Sequence, residues 1–390
     1  MNQLTYVHDY EKSKVYSYTY DTGGNILAES ISNIGSNGIP SNTKTIFYSY
    51  GDENWGDKLT AYDGETITYD AIGNPLSYRD GITMTWKNGR QLATLQNGTS
   101  NVQYSYDSDS VRVSKTVNGV KHTYAYINGM LMYETRGDAK FYYSYDANGI
   151  LYSVKYTLTD SSDLMTYYYT HNSRGDIIGI YNGAGQLRAQ YEYDAWGNVQ
   201  SITDQNGNAI TSETHIGNLN PFRYRGYYYD TESGFYYLMS RYYDPVTHRF
   251  INADGYFQAG GSLLDSNMSA YCANNPIMYW DPTGSCYVEK RTSAGTYIGT
   301  HWVVQTAVPS VPGFCNDCKS YGGSSGNNNY VGYSEHNKKG TTNPLNKSKH
   351  QKGQKRKQND KRGGEKGDVR RPINRSNKRH FEIVEPNIEY

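Results

Sequence analysis

The most regular feature of the chain is an alternation of aromatic residues that ends in an Asp and a Gly. Four segments show it most clearly: YTYDTGGNIL at 18–27, TYDAIGNPL at 68–76, YSYDANGIL at 143–151 and YEYDAWGNV at 191–199. Two aromatic residues separated by one residue lie on the same face of a β-strand, because strand side chains alternate. Asp accepts hydrogen bonds from its own following backbone and Gly tolerates positive φ. Each motif therefore predicts a strand that runs into a tight turn.

Weaker copies lie between these four: YSYGDENWG at 48, MTWKNG at 84, YSYDSD at 104, YAYING at 124 and YTHNSRGD at 169. Aligning all nine on the Asp position gives 21, 51, 70, 87, 107, 127, 146, 172 and 194, a period near 20. A sustained period of this length predicts a repeat architecture. One unit would be a hairpin whose tyrosine face is buried only when units stack. The alternative is a sandwich of unrelated tyrosine-rich strands.

Composition supports many short strands rather than a helical bundle. The chain has 43 Tyr against 8 Phe and 5 Trp, and 40 Gly; Tyr favours strands and Gly favours turns. The N-terminus shows no basic region followed by an apolar one, so we expect no signal peptide in this chain. No run approaches 18 apolar residues, so we expect no membrane span. Expressed alone, the protein would be cytoplasmic.

The repeat units resemble YD repeats, the tyrosine-aspartate repeats of Rhs (rearrangement hotspot) and teneurin-like proteins, over about residues 15–200. The stretch that follows resembles the Rhs repeat-associated core, since it contains RYRGYYYDTESGFYYLMSRYYDP, then RFINADG, then NNP and WDPTG in the family's order. Asp and Gly or Pro in this stretch also predict turns at 230–234, 244–245 and 281–284.

The resemblance implies a mainly β protein with three parts. Residues 1–215 would be a strip of repeats forming part of a hollow shell, and residues 216–284 a β core that plugs it. Residues 285–390 would be a variable C-terminal toxin domain, either a small α+β unit or a partly disordered segment. Nine units supply only part of such a wall, so the remainder of a longer Rhs shell is an expected partner. As part of that longer protein, the chain would be secreted or lie on the cell surface.

In family members that cleave themselves, acidic residues of the core cut the chain just after the last DPxG. The resemblance implies that Asp281 of DPTG and Asp254 of NADG hold these autoproteolysis positions. Two close carboxylates can divide the roles of general base and general acid. Two departures stand out, because Gly255 replaces the family's proline and Ser285 replaces its leucine. The alternative is that both aspartates only cap turns.

Charge separates the tail from the rest of the chain. From residue 336 to 390 there are 16 Lys and Arg against 6 Asp and Glu, a net charge of +10, and all of these basic residues lie in segment 336–380. The remaining 22 basic and 32 acidic residues give residues 1–335 a charge of −10. The formal net charge of +0 is therefore a cancellation. A basic segment of this kind is typical of polyanion binding.

Residues 346–362 are rich in Lys, Gln and Arg, predicting a helix that stops at Gly363 and Gly364. We predict that this basic segment contacts phosphates through Lys349, Lys352, Lys355 and Arg356. Metal-free RNA cleavage requires a general base, a general acid and cations on the phosphorane. Candidate residues, chosen by type alone, are His350, Glu365 and His380 for proton transfer, with Arg370 and Arg371 on the phosphate. The alternative is a solvated, partly disordered basic tail.

Cys315 and Cys318 form a CxxC pair without a second pair at matching spacing. They are interpreted as a structural pair or disulfide rather than half of a zinc site. No cofactor and no metal are expected. The absence of a paired His with an acidic cluster favours an RNase over a DNase.

The sequence thus predicts the C-terminal part of an Rhs-type polymorphic toxin for competition between bacteria. Its tail would act on nucleic acid, with RNA of a target cell as substrate, and a cognate immunity protein as a further partner. The alternative is a structural or cell-surface YD-repeat protein whose basic tail binds polyanions without catalysis.

Overall fold

The computed structural model describes residues 3–35, 38–159, 163–254, 267–285 and 287–289. Within these ranges the protein is mainly β, as predicted, with two large antiparallel sheets and two small ones. The basic tail, Cys315 and Cys318 lie outside the described residues, and the division at residues 215 and 284 stays a prediction. Among the described residues, no helix has the length and apolar character needed to cross a membrane.

The first sheet contains six strands in sequence order, each antiparallel to the next. Its strands are β1 (Tyr6–Asp9), β2 (Lys14–Tyr20), β3 (Ile26–Ile34), β4 (Pro40–Ser49), β5 (Ala61–Tyr62) and β6 (Glu65–Thr66).

The second sheet contains fourteen strands, again in sequence order, so each strand pairs with its neighbours in the chain. Its strands are β7 (Thr68–Tyr69), β8 (Pro75–Ser77), β9 (Thr83–Lys87), β10 (Gln91–Asn97), β11 (Ser100–Tyr106), β12 (Arg112–Val117), β13 (Val120–Ile127), β14 (Met130–Arg136), β15 (Ala139–Tyr145), β16 (Leu151–Thr157), β17 (Met165–His171), β18 (Ile177–Asn182), β19 (Leu187–Tyr193) and β20 (Val199–Thr203). A single-turn 3-10 helix, Arg79–Gly81, separates β8 from β9. We call β1–β20 the repeat strands.

Residues 216–284, which we call the core segment, contain short elements in their described part. They are the helix α1 (Ile216–Leu219), the strands β21 (Tyr228–Asp230), β22 (Phe235–Tyr237), β23 (Tyr242–Asp244), β24 (Arg249–Phe250) and β25 (Tyr279–Trp280), and the 3-10 turns Tyr224–Gly226 and Tyr271–Asn274. Strands β21–β24 form a four-stranded antiparallel sheet. Strand β25 pairs with β26 (Val288–Glu289), just beyond the core segment.

The Asp of the motif makes the predicted turn with its own side chain. At Asp146, Oδ1 accepts hydrogen bonds from the backbone N–H groups of Asn148 and Ile150 at 2.9 and 2.8 Å. The same i+2 and i+4 pattern recurs at Asp70, Asp194 and Asp204. A carboxylate that accepts two backbone N–H groups replaces the ladder bonds that the turn interrupts. These turns explain why each motif reverses the chain.

The predicted aromatic face is also present. The first aromatic residue of each complete YxY motif is buried, at Tyr18, Tyr143 and Tyr191, and the second packs against the same hydrophobic cluster. Tyrosines of the core segment join this cluster, with Tyr224, Tyr236, Tyr243 and Tyr271 fully buried. The repeat strands and the core segment therefore share one aromatic core.

Candidate active site at the end of the core segment

The predicted tail residues fall outside the described part of the chain: His350, Glu365, His380, Arg370, Arg371, Lys349, Lys352, Lys355 and Arg356. The two predicted core carboxylates, Asp254 and Asp281, are described and buried, with 8% and 2% of their surface exposed. A buried carboxylate needs a cationic or hydrogen-bonding partner.

Asp281 caps the turn at the end of the core segment. Its Oδ1 accepts hydrogen bonds from the backbone N–H groups of Gly284 at 2.8 Å and Thr283 at 3.2 Å. On its other side, the Tyr227 hydroxyl donates to the Asp281 carbonyl oxygen at 2.7 Å. Turn capping and a catalytic role are compatible at this position, since Oδ2 of Asp281 makes neither of the two capping bonds.

Arg241 brings the two carboxylates together, although they are 27 positions apart in the chain. Its Nη2 lies 2.9 Å from Oδ2 of Asp254 and 3.7 Å from Oδ2 of Asp281. The guanidinium is itself buried, and its carbon lies 3.6 Å from the centre of the Phe250 ring. One cation thus holds both predicted carboxylates in one buried cluster.

The same guanidinium contacts the backbone at the predicted cleavage point. Nε of Arg241 donates a hydrogen bond to the carbonyl oxygen of Gly284, the residue before the expected cut, and Nη1 donates to the Met268 carbonyl at 2.9 Å. A charged donor on a carbonyl oxygen stabilises the negative charge that develops there when a nucleophile attacks. Residue type alone did not single out Arg241. The available signal was an Arg directly before the aromatic strand β23, where a buried guanidinium requires acidic partners.

Burial controls the electrostatics of the cluster. Burial raises the pKa of Asp281 to about 6; Arg241 and the two backbone N–H groups oppose this rise, and Asp254 adds to it. Burial likewise lowers the pKa of Arg241, against the two carboxylates that favour its charge. A carboxyl that titrates near neutrality can both accept and donate a proton at physiological pH.

Gly284 is held against the loop that carries Arg241. Its φ is +75°, and a Cβ at this position would lie 2.8 Å from the Leu238 carbonyl oxygen and 2.8 Å from Oγ of Ser240. Ser240 fixes the preceding peptide, because its backbone N–H and its hydroxyl both donate to the Thr283 carbonyl, at 3.1 and 2.7 Å. Only glycine fits here without moving backbone atoms.

The cluster contains the parts that hydrolysis of the 284–285 peptide would need: two carboxylates for proton transfer and a cation on the carbonyl oxygen. Within the described ranges, no group of three His, Cys, Asp or Glu side chains is arranged to hold a metal ion.

No family model matches the chain. Curated relatives include the tRNA3(Ser)-specific nuclease WapA of Bacillus spizizenii, 37% identical over 297 residues, and the tRNA nuclease WapA of Bacillus subtilis, 36% identical over 297 residues. Each match covers 73% of this chain and 11% of the relative. The toxin protein Tse5 of Pseudomonas aeruginosa is 37% identical over 110 residues, 28% of this chain and 7% of Tse5. The chain therefore spans about a tenth of the length of each of these relatives.

Solved structures with a similar fold include a TcdB2-TccC3-Cdc42 complex, with a TM-score of 0.55 and 19% identity over 70% of this chain and 13% of that chain. A Photorhabdus luminescens Tc holotoxin pore matches with a TM-score of 0.52 and 18% identity over 78% of this chain and 15% of that chain. These likenesses establish the fold alone. By sequence, the chain is similar to toxins and to tRNA nucleases.

Proposed function

We propose that this chain is the C-terminal part of an Rhs-type polymorphic toxin whose basic tail cleaves RNA in a target cell. The observation that carries the proposal is the similarity to two WapA proteins named as tRNA nucleases. The charge of +10 on residues 336–390 fits a polyanionic substrate.

In this proposal the repeat strands are YD repeats and form part of a longer Rhs shell, which carries the chain outside the producing cell. A cognate immunity protein protects that cell. In the tail, His350, Glu365 and His380 transfer protons, and Arg370 and Arg371 hold the phosphate. Contacts to the RNA phosphates are made by Lys349, Lys352, Lys355 and Arg356, which take no part in proton transfer.

The test separates charge from chemistry in the full chain. Inducible expression in a bacterium should arrest growth and degrade tRNA, and His350→Ala should abolish both while leaving RNA affinity nearly unchanged, because a neutral His contributes little charge at pH 7. The matched control replaces Lys352, Lys355 and Arg356 by Gln, which should weaken binding at low salt and flatten its salt dependence.

A contrary outcome is that the chain binds RNA with an affinity that falls steeply as salt rises, yet neither cleaves it nor inhibits growth. That outcome would support the alternative of a non-catalytic basic tail on a structural or cell-surface protein. In that outcome no variant at His350, Glu365 or His380 changes growth.

A second proposed activity is self-cleavage between Gly284 and Ser285, favoured by the cluster around Arg241. Hydrolysis breaks the C–N bond, adds the elements of water, and leaves a carboxylate on Gly284 and an amine on Ser285. Arg241 stabilises the oxyanion on the Gly284 carbonyl, and Asp281 and Asp254 transfer protons. Since the pKa of Asp281 is about 6, a rate that needs its ionised form should rise as the pH passes through 6.

Incubation of the purified chain should yield a fragment that begins at Ser285, identified by N-terminal sequencing and mass. Asp281→Asn keeps an oxygen for the turn bonds but removes the proton acceptor, so the fragment should disappear. Asp146→Asn makes the same change in a repeat turn and should not affect cleavage. A wild-type chain that stays intact through long incubation would leave Asp281 as a turn cap only.

A further inference from the structure

The peptide unit that carries Asp254 is held at both of its polar groups. Its N–H, that of Asp254, donates a hydrogen bond to the Met268 carbonyl oxygen at 3.0 Å. Its carbonyl oxygen, that of the buried Ala253, accepts a hydrogen bond from Nη1 of Arg90. Since the side chain of Asp254 extends from this peptide unit, the two bonds fix the point from which its carboxylate reaches Arg241.

Arg90 does not belong to the core segment. It lies in the turn that joins β9 to β10, 163 positions before Ala253. That turn is itself fixed, because the buried side-chain amide of Asn74 donates to the Gly89 carbonyl oxygen at 2.8 Å and to Oδ2 of Asp70 at 2.8 Å. The Asp turn of one repeat therefore holds the next turn, from which Arg90 reaches the core segment.

The charge of Arg90 lies close to the cleavage cluster. Burial is the main cause that lowers the pKa of Arg241, and the positive charge of Arg90 lowers it further, against the two carboxylates of the cluster. A charged donor makes a stronger hydrogen bond to a carbonyl oxygen than a neutral donor does. Arg90 therefore fixes the Ala253 peptide more firmly than an amide side chain would.

We propose that Arg90 is a positioning residue for the self-cleavage, because through the Ala253 carbonyl it holds Asp254 where the carboxylate can transfer a proton at the 284–285 peptide. The inference rests on the proposed self-cleavage and adds a residue of the repeats to its requirements. A group that transfers a proton must lie within hydrogen-bond reach of the reacting atoms, so a displacement of about 1 Å costs on the order of 100-fold in rate. Cleavage therefore requires the core segment to be docked on the repeat strands, and the tail is released only from the assembled protein.

The experiment follows the fragment that begins at Ser285 in the purified full-length chain, for the wild type, Arg90→Ala, Arg90→Lys and Asn97→Ala. Arg90→Ala should cleave on the order of 100-fold more slowly than the wild type. Arg90→Lys keeps a charged donor for the Ala253 carbonyl, so its rate should stay within about tenfold of the wild-type rate. Millimolar guanidinium should accelerate Arg90→Ala, since the ion replaces the missing group, and should leave the wild type unchanged.

Asn97→Ala is the matched control. Asn97 lies at the other end of β10, and its side-chain amide donates to the Glu232 carbonyl oxygen at 2.9 Å. The variant therefore also loses a hydrogen bond from a repeat side chain to a core-segment carbonyl, but one made outside the cleavage cluster. It should cleave at the wild-type rate. Urea denaturation should show a similar loss of stability for Asn97→Ala and Arg90→Ala.

Arg90→Ala that cleaves as fast as the wild type overturns the positioning role, while self-cleavage itself stands. Equal slowing of Arg90→Ala and Asn97→Ala, with no response to guanidinium, also overturns it, because any loosened contact would then have the same effect. A wild-type chain that never cleaves removes both proposals. Should Arg90→Ala not fold by circular dichroism, Arg90→Met, which keeps the apolar stem without a donor, takes its place with the same expected outcomes.

Discussion

The repeat strands and the core segment bury different kinds of side chain. Along the repeat strands, buried positions are mostly aromatic or aliphatic, and in strands such as β11, β15 and β19 they alternate with more exposed ones. The core segment is much shorter, yet its described residues include nine buried Arg, Asp and His side chains: Arg223, Arg225, Asp230, Arg241, Asp244, His248, Arg249, Asp254 and Asp281. Its strands contain only two or three residues each. Alternation therefore specifies the repeat strands but cannot specify the core segment.

Several core charges pair with charges on the repeat strands and their connecting turns. The guanidinium of Arg112 on β12 contacts both oxygens of Asp230, and Arg79 contacts both oxygens of Asp244 at 2.7 Å. Because an unpaired buried charge is costly, any placement of the core segment that breaks these pairs is disfavoured. Apolar burial stabilises the contact between the repeat strands and the core segment, and we expect the ion pairs to favour one register between them.

The largest expected effect comes from breaking one of these pairs. Asp230→Ala leaves Arg112 and Lys115 buried without their shared carboxylate; all three are nearly inaccessible to solvent. We expect a loss of about 3–5 kcal/mol in the free energy of unfolding, measured by urea denaturation.

The control for this variant replaces Arg112 by Met and Asp230 by Leu together. If the ion pair favours one register but adds little stability of its own, removing both charges should restore most of the free energy of unfolding that Asp230→Ala loses. A single Asp230→Ala variant within 1 kcal/mol of wild type would show that the pair contributes little.

Gly284→Ala tests the close approach at the end of the core segment. Its added Cβ would meet the Leu238 carbonyl oxygen at 2.8 Å and would also force positive φ on alanine. We expect a loss of about 2–3 kcal/mol by thermal or urea unfolding. Gly149→Ala has the same φ of +75° with only a methionine sulfur at 3.8 Å, so it should cost about 1–2 kcal/mol. Equal losses would mean that strain, not the contact, dominates.

Glu29→Gln tests a buried carboxyl where β3 meets the core segment. Burial raises the pKa of Glu29 to about 7, and Asp194 adds to the rise. The folded protein therefore holds a proton that the unfolded chain releases at lower pH, so this group's contribution is lost as pH rises toward 7 and above. The variant should be about 1–3 kcal/mol more stable than wild type at pH 8 but not at pH 5.

His248 lies 4.0 Å from Glu29 and is present in both the wild type and the Glu29→Gln variant. Burial lowers its pKa to about 3, so its destabilising effect appears only as pH falls below its ordinary value. A difference between variant and wild type that is the same from pH 5 to 8 would argue against titration of Glu29.

The smallest expected effect is in a repeat turn. Asp70→Ala removes the carboxylate that accepts from the backbone N–H groups of Ile72 and Asn74. We expect a loss of about 0.5–1.5 kcal/mol in urea denaturation, as for ordinary hydrogen bonds. Asp70→Asn keeps an acceptor oxygen and should lose less. If Asp70→Ala lost as much free energy of unfolding as Asp230→Ala, the repeat turns and the core charges would contribute equally to stability, against this prediction.

Much of the fold follows from local sequence. The YxY pairs predicted one buried face per strand, and Asp70, Asp146 and Asp194 predicted turns that the structure confirms. The turns predicted at 230–234, 244–245 and 281–284 also form, through bonds to Asp230, Asp244 and Asp281. These features involve residues at most four positions apart, so side-chain alternation and turn chemistry suffice to predict them.

Contacts between residues far apart in the chain could not be predicted from the sequence and follow from the fold. It placed Arg241 on the Gly284 carbonyl, 43 positions away, and joined Asp254 to Asp281 through the same guanidinium. It also placed the hydroxyl of Ser285 on that of Ser240. A residue's type states which partners it can take once buried, but not which distant residue is brought to it. The choice of distant partner depends on how the whole aromatic core packs, and no single segment of the sequence contains that information.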